Sequence, residues 1–251
     1  MHPIIALLTD FGTADGYVGE MKGVLLSREP ESLIVDITHD IPPQDVEYAR
    51  LTVARVWRRF PQGTIFVVVV DPGVGSARGA LAVESDGRFL VGPDNGVLSP
   101  ALLANAAHVI ELPIPAGASP TFHGRDVFVP AAAALARGDA IETLGRRSTS
   151  PVVRRTPEPT RRADGAVDGQ VLVVDRFGNA VTNLIGLRGG VVEVSGVAIP
   201  VRRTYAEVSS GELVAVVGST GFIEIAVRDG AAAGVLKLMR GARVVLRPGS
   251  G

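Results

Sequence analysis

The chain has 251 residues, of which 46% are hydrophobic and 20% are charged, and its formal net charge is −1. These values are ordinary for folded globular proteins, and the length suits two modest domains. The near-neutral charge provides no overall positive field, so we expect neither nucleic acid nor a membrane as a partner, and a small-molecule substrate is favoured.

The sequence contains no cysteine, which excludes disulfides, thiolate-bound zinc and a cysteine nucleophile. Asp10, Asp15 and Glu20 interrupt any apolar signal region near the start of the chain. The longest dense apolar run, Ile65 to Val70, is too short to span a bilayer. We therefore expect a cytoplasmic protein.

The first half of the sequence alternates between strand and helix patterns. Ile4 to Leu8 is a short apolar run that ends at a Gly-containing loop, and a helical pattern separates it from a second strand at Leu33 to Ile37. An amphipathic pattern from Val46 to Phe60 then precedes a third strand at Ile65 to Val70. This alternation predicts an α/β domain with a parallel sheet and helices on both faces, whose ligands bind beyond the carboxyl ends of the strands.

The composition changes after about residue 146. Prolines and arginines dominate residues 146–168 with almost no periodicity, which predicts a linker. The segments beyond it are short, partly alternating and separated by glycine turns, a pattern typical of a small β-barrel or sandwich. We predict an α/β N-terminal domain over residues 1–150, a linker over 151–168 and a smaller C-terminal β-barrel domain over 169–251. The strand candidates are Gln170 to Val174, Val191 to Val201, Leu213 to Val217, Phe222 to Val227 and Arg243 to Leu246.

Two motifs in the N-terminal half carry candidate chemistry. Asp71 directly follows the most hydrophobic strand, and a glycine-containing loop leads from it to Arg78. His123 lies in a loop between Phe122 and Gly124, ahead of an alanine-rich helical stretch. Each motif alone also fits a structural role: a turn with a surface ion pair for Asp71 and Arg78, and a hydrogen-bonding loop residue for His123.

Two turns in the C-terminal half are candidate ligand sites. The segment Asp175 to Asn179 follows a predicted strand and contains Phe177, so it offers a carboxylate, an amide and a stacking face. The turn Gly218 to Gly221 offers backbone N–H groups to a carboxylate. Both segments are also compatible with plain polar turns.

The order of these motifs is more informative than any one of them. The chain carries Thr9-Asp10-Phe11-Gly12, Asp71-Pro72-Gly73-Val74-Gly75, Asn95-Gly96, Phe122-His123-Gly124-Arg125-Asp126, Phe177-Gly178-Asn179 with Thr182-Asn183, and Gly218-Ser219 with Gly221-Phe222. This order, from about Ile4 to Leu246, resembles the S-adenosylmethionine hydroxide adenosyltransferase family, the hydrolytic relatives of the S-adenosylmethionine fluorinases and chlorinases.

The resemblance implies hydrolysis of S-adenosylmethionine to adenosine and methionine through attack at ribose C5′, with no cofactor and no metal. It implies a homotrimer in which the substrate lies between the N-terminal domain of one subunit and the C-terminal domain of its neighbour. Asp71, Arg78 and His123 match the family's water-handling residues. The residues that match its substrate-binding positions are Asp10 at the ribose hydroxyls, Asp175 at the methionine ammonium, Ser219 at the methionine carboxylate, and Phe177, Asn179 and Tyr205 at the adenine.

Two positions depart from the halogenating relatives. Gln44 stands where those enzymes have a tryptophan near the substrate, and Thr220 stands where they have an arginine beside the methionine carboxylate. A sulfonium is already a good leaving group, so the barrier lies in the weak nucleophile. We expect Asp71 to accept from or polarise the water, Arg78 to fix Asp71, and His123 to complete the water's hydrogen bonds.

Three other interpretations are open from the sequence. One is a halogenase of the same family, although a carboxylate at the nucleophile position would repel a halide anion. Another is a metal-dependent hydrolase with strand-end carboxylates and histidines as ligands of a divalent ion. Its candidate ligands are Asp10, Asp36, His39, Asp71 and His123. The third is a non-catalytic adenosine-binding or assembly module.

Overall fold

The structure is a computed structural model that describes residues 2–104, 106–186 and 189–249. It divides into two compact units, Met1–Arg155 and Thr156–Gly251, and this division falls inside the predicted linker. In the described segments, no helix has both the length and the apolar character needed to cross a membrane.

The N-terminal unit contains one seven-stranded sheet. Its strands are β1 (Ile4–Thr9), β2 (Leu33–Thr38), β3 (Ile65–Val69), β4 (Ala80–Ser85), β5 (Arg88–Pro93), β6 (His108–Glu111) and β7 (Arg146–Arg147). Their order across the sheet is β2-β1-β3-β5-β4-β6-β7. The strands β2, β1, β3 and β5 run parallel to one another, whereas β4, β6 and β7 are antiparallel to their neighbours.

The predicted α/β fold with parallel strands is confirmed, and an antiparallel part that the sequence analysis did not predict adds to it. Strands β4 and β5 form a hairpin whose two connecting residues, Asp86 and Gly87, have positive φ angles of 48° and 68°. This backbone twist is the one that two-residue hairpin turns favour. The hairpin places an antiparallel strand beside the parallel core of the sheet.

Helices cover both faces of this sheet. They are α1 (Tyr17–Arg28), α2 (Val46–Val56), α3 (Ser99–Leu102) and α4 (Val129–Ala136), with single helical turns at Trp57–Arg59, Gly124–Phe128 and Ile141–Leu144. Along β1, Ile5 and Leu7 pack in one core with α1 and α4, whereas Ala6 and Leu8 pack in the other with α2 and α3. Because successive side chains of a strand point to opposite faces, both faces of β1 are buried. The two cores fix where the carboxyl ends of the central strands lie.

The C-terminal unit is a closed β-barrel, which confirms the predicted architecture. Its strands are β8 (Thr160–Arg161), β9 (Val167–Val174), β10 (Ala180–Ile185), β11 (Val191–Val194), β12 (Val197–Arg202), β13 (Leu213–Val217), β14 (Phe222–Val227) and β15 (Arg243–Arg247), and its helical segments are Tyr205–Glu207 and α5 (Ala232–Leu236). Seven strands pair in the ring β9-β10-β14-β13-β12-β11-β15, and β15 pairs again with β9. Strand β8 adds to β9 within the segment predicted as a linker.

Candidate functional site

Asp71 lies just beyond the carboxyl end of β3, and Arg78 binds it through two hydrogen bonds. Arg78 Nε donates to Asp71 Oδ1 at 2.9 Å, and Arg78 Nη2 donates to Asp71 Oδ2. The two side chains are only 9% and 5% exposed. A surface ion pair is largely exposed to water, whereas this bidentate pair is removed from it, so its partners hold each other firmly. The pair therefore does not fit the structural alternative of an ion pair on the surface.

The loop between these two residues is compact. Ser76 N donates to Gly73 O at 3.1 Å, which closes a tight turn. Gly75 has a φ of 75°, and a Cβ atom there would lie 2.4 Å from the carbonyl oxygen of Pro120. Only glycine permits both this backbone conformation and this approach. Gly75 thus allows the loop from Asp71 to Arg78, the Arg78 loop, to lie against the segment that leads to His123.

His123 joins the pair through Arg78. Its Nδ1 lies 2.8 Å from Arg78 Nη2, and the residue is buried. A guanidinium has no acceptor, so Nδ1 must accept, and the proton of the neutral imidazole resides on Nε2. Burial, and then the charge of Arg78, hold the pKa of His123 below its ordinary value of 6.5, which favours this neutral form. Asp71 is therefore the member of the trio with lone pairs left to accept a proton.

Asn95 supports the same strand end. Its Nδ2 donates to the carbonyl oxygen of Val70 at 2.9 Å, and its Oδ1 accepts from Val97 N at 3.1 Å. Val70 immediately precedes Asp71, so these bonds fix the backbone from which the carboxylate projects. Asn95 had no predicted role beyond its part in the family resemblance. The Asn-Gly pair, a turn signal directly after an apolar strand, was the available clue.

Asp10 follows β1, which is the neighbour of β3 in the sheet, with Thr9 opposite Val69. Asp10 Oδ2 accepts from the backbone N–H of Gln44 at 2.7 Å. Within residues 2–104, 106–186 and 189–249, Asp10 Oδ1 makes no hydrogen bond, so it is available to a ligand. Asp10 and Asp71 lie beyond the ends of their strands, whereas Asp36 lies inside β2.

Three aromatic rings lie beside these loops. Phe11, Tyr17 and Phe122 contact one another edge to face, with ring centroids 5.5 to 5.9 Å apart. Phe11 is adjacent in sequence to Asp10, and Phe122 is adjacent to His123. The ring contacts therefore link the loop that carries Asp10 to the loop that carries His123. Tyr17 was not predicted as a site residue, although an aromatic residue at the start of a helix was a visible signal.

The ligand set proposed for a divalent metal does not gather. In the part of the chain that the structure describes, no three histidine, aspartate or glutamate side chains are placed to hold a metal ion. Asp71 is bound by Arg78, and His39 Nδ1 lies 2.8 Å from Thr9 Oγ1 instead. The metal-dependent interpretation therefore lacks the cluster on which it depends.

Asp175 and Asn179 shape one loop of the barrel. Asp175 Oδ1 accepts from the backbone N–H groups of Phe177 and Asn179, both at 2.9 Å, and Oδ2 accepts from Asn179 Nδ2 at 3.1 Å. This is the geometry of an Asx turn, the structural alternative for this segment. It nevertheless holds the Phe177 ring in solvent, where the residue is 75% exposed. An apolar ring held outside the core by a rigid turn is suited to stacking on a flat ligand.

Tyr205 lies near the turn from Gly218 to Gly221, the second barrel turn. Its hydroxyl donates to Glu224 Oε2 at 2.9 Å, and the Glu224 side chain lies against Gly218, where it leaves no room for a Cβ atom. Burial and then the bond to Glu224 raise the pKa of Tyr205 to about 12, and the charge of Asp175 contributes. Tyr205 therefore stays a hydrogen-bond donor, and it lies near both turns. Ser219 is exposed in the second turn.

Two family models match most of the chain. The model described as SAM hydroxide adenosyltransferase N-terminal domain matches residues 5–145, and the corresponding C-terminal domain model matches residues 169–245. This chain belongs to the SAM hydroxide adenosyltransferase family. The two matched segments fall within the sheet unit and the barrel unit, respectively.

Relatives of this family member cover nearly all of its length. A protein named (R)-S-adenosyl-L-methionine hydrolase from Thermus thermophilus is 42% identical over 98% of this chain and 100% of its own length. A protein named fluorinase from Nocardia brasiliensis is 28% identical over 90% of each chain. The crystal structure of a conserved protein from Thermotoga maritima matches with a TM-score of 0.87 and 34% identity over 96% of this chain and 99% of that one.

Not every motif on which the family resemblance rests forms part of the candidate site. Thr182 Oγ1 donates to the carbonyl oxygen of Ile223 at 2.8 Å. Asn183 Oδ1 accepts from Gln170 N at 2.7 Å, and Asn183 Nδ2 donates to Pro157 O at 2.8 Å. Both side chains are buried in β10, so they hold the barrel together.

Proposed function

We propose that this protein hydrolyses S-adenosylmethionine to adenosine and L-methionine through attack of water at ribose C5′. The observation that carries the proposal is the buried contact of Asp71, Arg78 and His123 beyond the end of β3. Relatives named (R)-S-adenosyl-L-methionine hydrolase, at 42% and 37% identity, support the choice of substrate. The reaction needs no cofactor, because water supplies the oxygen and the sulfonium leaves as a neutral thioether.

The trio acts on the nucleophile rather than on the leaving group. A C5′–O bond forms as the C5′–S bond breaks, the electron pair of the broken bond goes to sulfur, and one proton of the water must be removed. Asp71 takes that proton, because Arg78 has no acceptor and His123 Nδ1 is engaged by Arg78. The Nε2–H of His123 donates to the water oxygen and turns its proton toward Asp71. A positioned base of this kind contributes about 10²- to 10⁴-fold to the rate.

The remaining site residues bind the two ends of the substrate. Asp10 takes the ribose hydroxyls through its available Oδ1, and Phe177, Asn179 and Tyr205 hold the adenine. Asp175 takes the methionine ammonium, for which its Oδ2 is suited because it accepts only one hydrogen bond from the turn. Ser219 binds the methionine carboxylate without the charge that an arginine would bring, since Thr220 follows it.

Water rather than halide is the nucleophile in this proposal. The Asp71 carboxylate would repel an anion in a site where both charged side chains are buried, and Arg78 is already paired with it. Neutral water donates to Asp71 and accepts from His123, so it binds without this cost. The lower identity to the fluorinase, 28% against 42% for the hydrolase, supports the same choice.

We also propose the homotrimer that the family resemblance implies, with each substrate site made by neighbouring subunits. Sedimentation equilibrium tests it, with an expected mass of about three times the 26.1 kDa of one chain. A cytoplasmic location is proposed from the absence of cysteine. Cell fractionation tests it, and recovery of the protein outside the cytoplasmic fraction would contradict it.

Product analysis tests the central proposal. Purified protein is incubated with S-adenosylmethionine, and the products are separated by chromatography, with Asp71→Asn as the matched control. Adenosine and methionine should appear in equal amounts with the wild-type protein, and added chelator should not change the rate. Parallel incubations with chloride or fluoride should yield no 5′-halo-adenosine. Binding of S-adenosylmethionine without any turnover would contradict the proposal and favour a non-catalytic module.

A further inference from the structure

The loop that follows β2 is attached to the loop that carries Asp10. We call residues 39–45 the His39 loop and residues 10–16 the Asp10 loop. Gly12 N donates to the carbonyl oxygen of His39 at 2.8 Å, and Gln44 N donates to Asp10 Oδ2 at 2.7 Å. A third link joins the His39 ring to the strand end just before Asp10, where His39 Nδ1 lies 2.8 Å from Thr9 Oγ1.

The third link reaches the backbone on both sides of Asp10. Thr9 Oγ1 also accepts from the backbone N–H of Phe11 at 3.2 Å. The Thr9 side chain therefore bridges the His39 ring and the residue after Asp10. Thr9 and His39 are 0% and 5% exposed, so water does not compete for these bonds.

Charged groups surround the other side of the His39 ring. His39 Nε2 lies 3.1 Å from Asp36 Oδ1, without the linear geometry of a full hydrogen bond. Asp36 Oδ2 accepts from Lys22 Nζ at 2.6 Å. Burial alone would raise the pKa of Asp36, but Lys22 and His39 hold it below its ordinary value. The ionised carboxylate favours a proton on Nε2, which leaves Nδ1 to accept from the Thr9 hydroxyl.

The His39 loop keeps an unfavourable conformation at its contact with Asp10. Gln44 has a φ of 66°, which is costly for a residue with a side chain. Such a conformation persists only where the surrounding structure imposes it. Here it aims the backbone N–H of Gln44 at Asp10 Oδ2.

From these contacts we propose that His39 is a positioning residue, which orients the Asp10 carboxylate and so determines the affinity for the hydroxyls of a ribose. The inference rests on the proposed function, in which Asp10 binds the ribose of the substrate. His39 acts through Thr9 and the Asp10 loop, without contact to the substrate. Its contribution is therefore confined to ligands that carry ribose hydroxyls, because only these bind the carboxylate that it orients.

Calorimetric titration with two nucleosides tests this inference without any need for turnover. Adenosine carries both ribose hydroxyls, and 2′,3′-dideoxyadenosine carries neither. His39→Leu removes the ring but keeps the backbone bond from Gly12, and it should weaken adenosine binding about tenfold while dideoxyadenosine binding changes less than about twofold. His39→Asn places an acceptor near the position of Nδ1, so adenosine affinity should stay within about threefold of wild type.

Two further variants complete the design. His108 also pairs with a carboxylate, with its Nδ1 3.2 Å from Glu142 Oε1, so His108→Leu is the matched control and should leave both affinities unchanged. Thr9→Val breaks the same link with a side chain of equal size and should reproduce the His39→Leu result, which keeps the test decisive if His39→Leu fails to fold.

The inference would be overturned if His39→Leu and Thr9→Val lowered the affinity for both nucleosides equally, since these residues would then have a general structural role. Unchanged adenosine affinity in both variants would overturn it as well. If the wild-type protein bound adenosine and dideoxyadenosine equally, the assignment of Asp10 to the ribose would fail and the inference with it. Failure of the proposed function would look different, as an absence of adenosine from the products of S-adenosylmethionine.

Discussion

The Asp71→Asn variant should lose most of its activity, and the loss of activity should be separable from its loss of stability. Asparagine has the same size as aspartate and keeps one acceptor for Arg78, but it cannot take a proton from water. Asp71 and Arg78 are 5% and 9% exposed, so the substitution also leaves a buried guanidinium without its countercharge. Two effects of different origin are therefore expected.

The magnitudes follow from this geometry. Loss of the positioned base should lower kcat by about 10²- to 10⁴-fold. Removal of one partner of a buried ion pair costs about 3–5 kcal/mol, and the acceptor that asparagine retains places this variant near the lower value. A cost of about 3 kcal/mol corresponds to a decrease in Tm of roughly 6–12 °C for a chain of this size.

A double variant separates the two effects. Asp71→Asn combined with Arg78→Gln removes both charges, so about half or more of the lost stability should return while kcat stays low. Differential scanning calorimetry measures stability, and chromatography of adenosine measures kcat. Recovery of kcat together with Tm in the double variant would refute the catalytic role of Asp71, as would an Asp71→Asn variant that keeps more than about a tenth of the wild-type kcat.

Three further predictions concern the barrel, the Arg78 loop and His123. Phe177 is 75% exposed. Phe177→Ala should change the free energy of unfolding by less than about 1 kcal/mol. It should weaken adenosine binding about tenfold through loss of stacking, as measured by calorimetry, and an unchanged affinity would contradict the adenine role. Gly75→Ala should lower the free energy of unfolding, measured by urea denaturation, by about 2 kcal/mol or more, because φ is 75° and the new Cβ would lie 2.4 Å from Pro120 O. Gly117→Ala is its matched control, since a Cβ atom there meets no atom within 4 Å. The pKa of His123 is lower in the folded protein than its ordinary value of 6.5, so the stability that its neutral form contributes should be lost as pH falls below 6.5 and through the folded pKa. Between about pH 7.5 and 5.5, the free energy of unfolding should therefore fall less in His123→Asn than in the wild-type protein. Equal decreases in the two proteins would contradict this account.

The sequence predicted the parallel strands because their apolar runs end at clear turn signals. Strands β1, β2 and β3 each extend within one residue of the predicted limits. The β4–β5 hairpin was missed, although Asp86-Gly87 between two apolar runs is a strong hairpin signal. Strand β10 was missed for another reason: Thr182 and Asn183 are polar residues buried in the barrel, and a polar pair in sequence suggests a loop.

The candidate site could be predicted only in part. Spacing alone left the contact between Arg78 and His123 undetermined, because 45 positions separate them and their approach depends on the close contact of Gly75 with Pro120. The proton position on His123 likewise follows only from the observed bond to Arg78. The links that hold Asp10 depend on a backbone N–H and on a strained φ, and neither leaves a mark in the sequence.

The path of the water oxygen tests the central claim most directly. Hydrolysis of S-adenosylmethionine in ¹⁸O-enriched water, followed by mass spectrometry of the products, locates the bond that breaks. Attack at C5′ predicts one ¹⁸O atom in the 5′-hydroxyl of adenosine and none in methionine. Adenosine without the label, or label found in a different product, would contradict attack of water at C5′ and the role assigned to Asp71, Arg78 and His123.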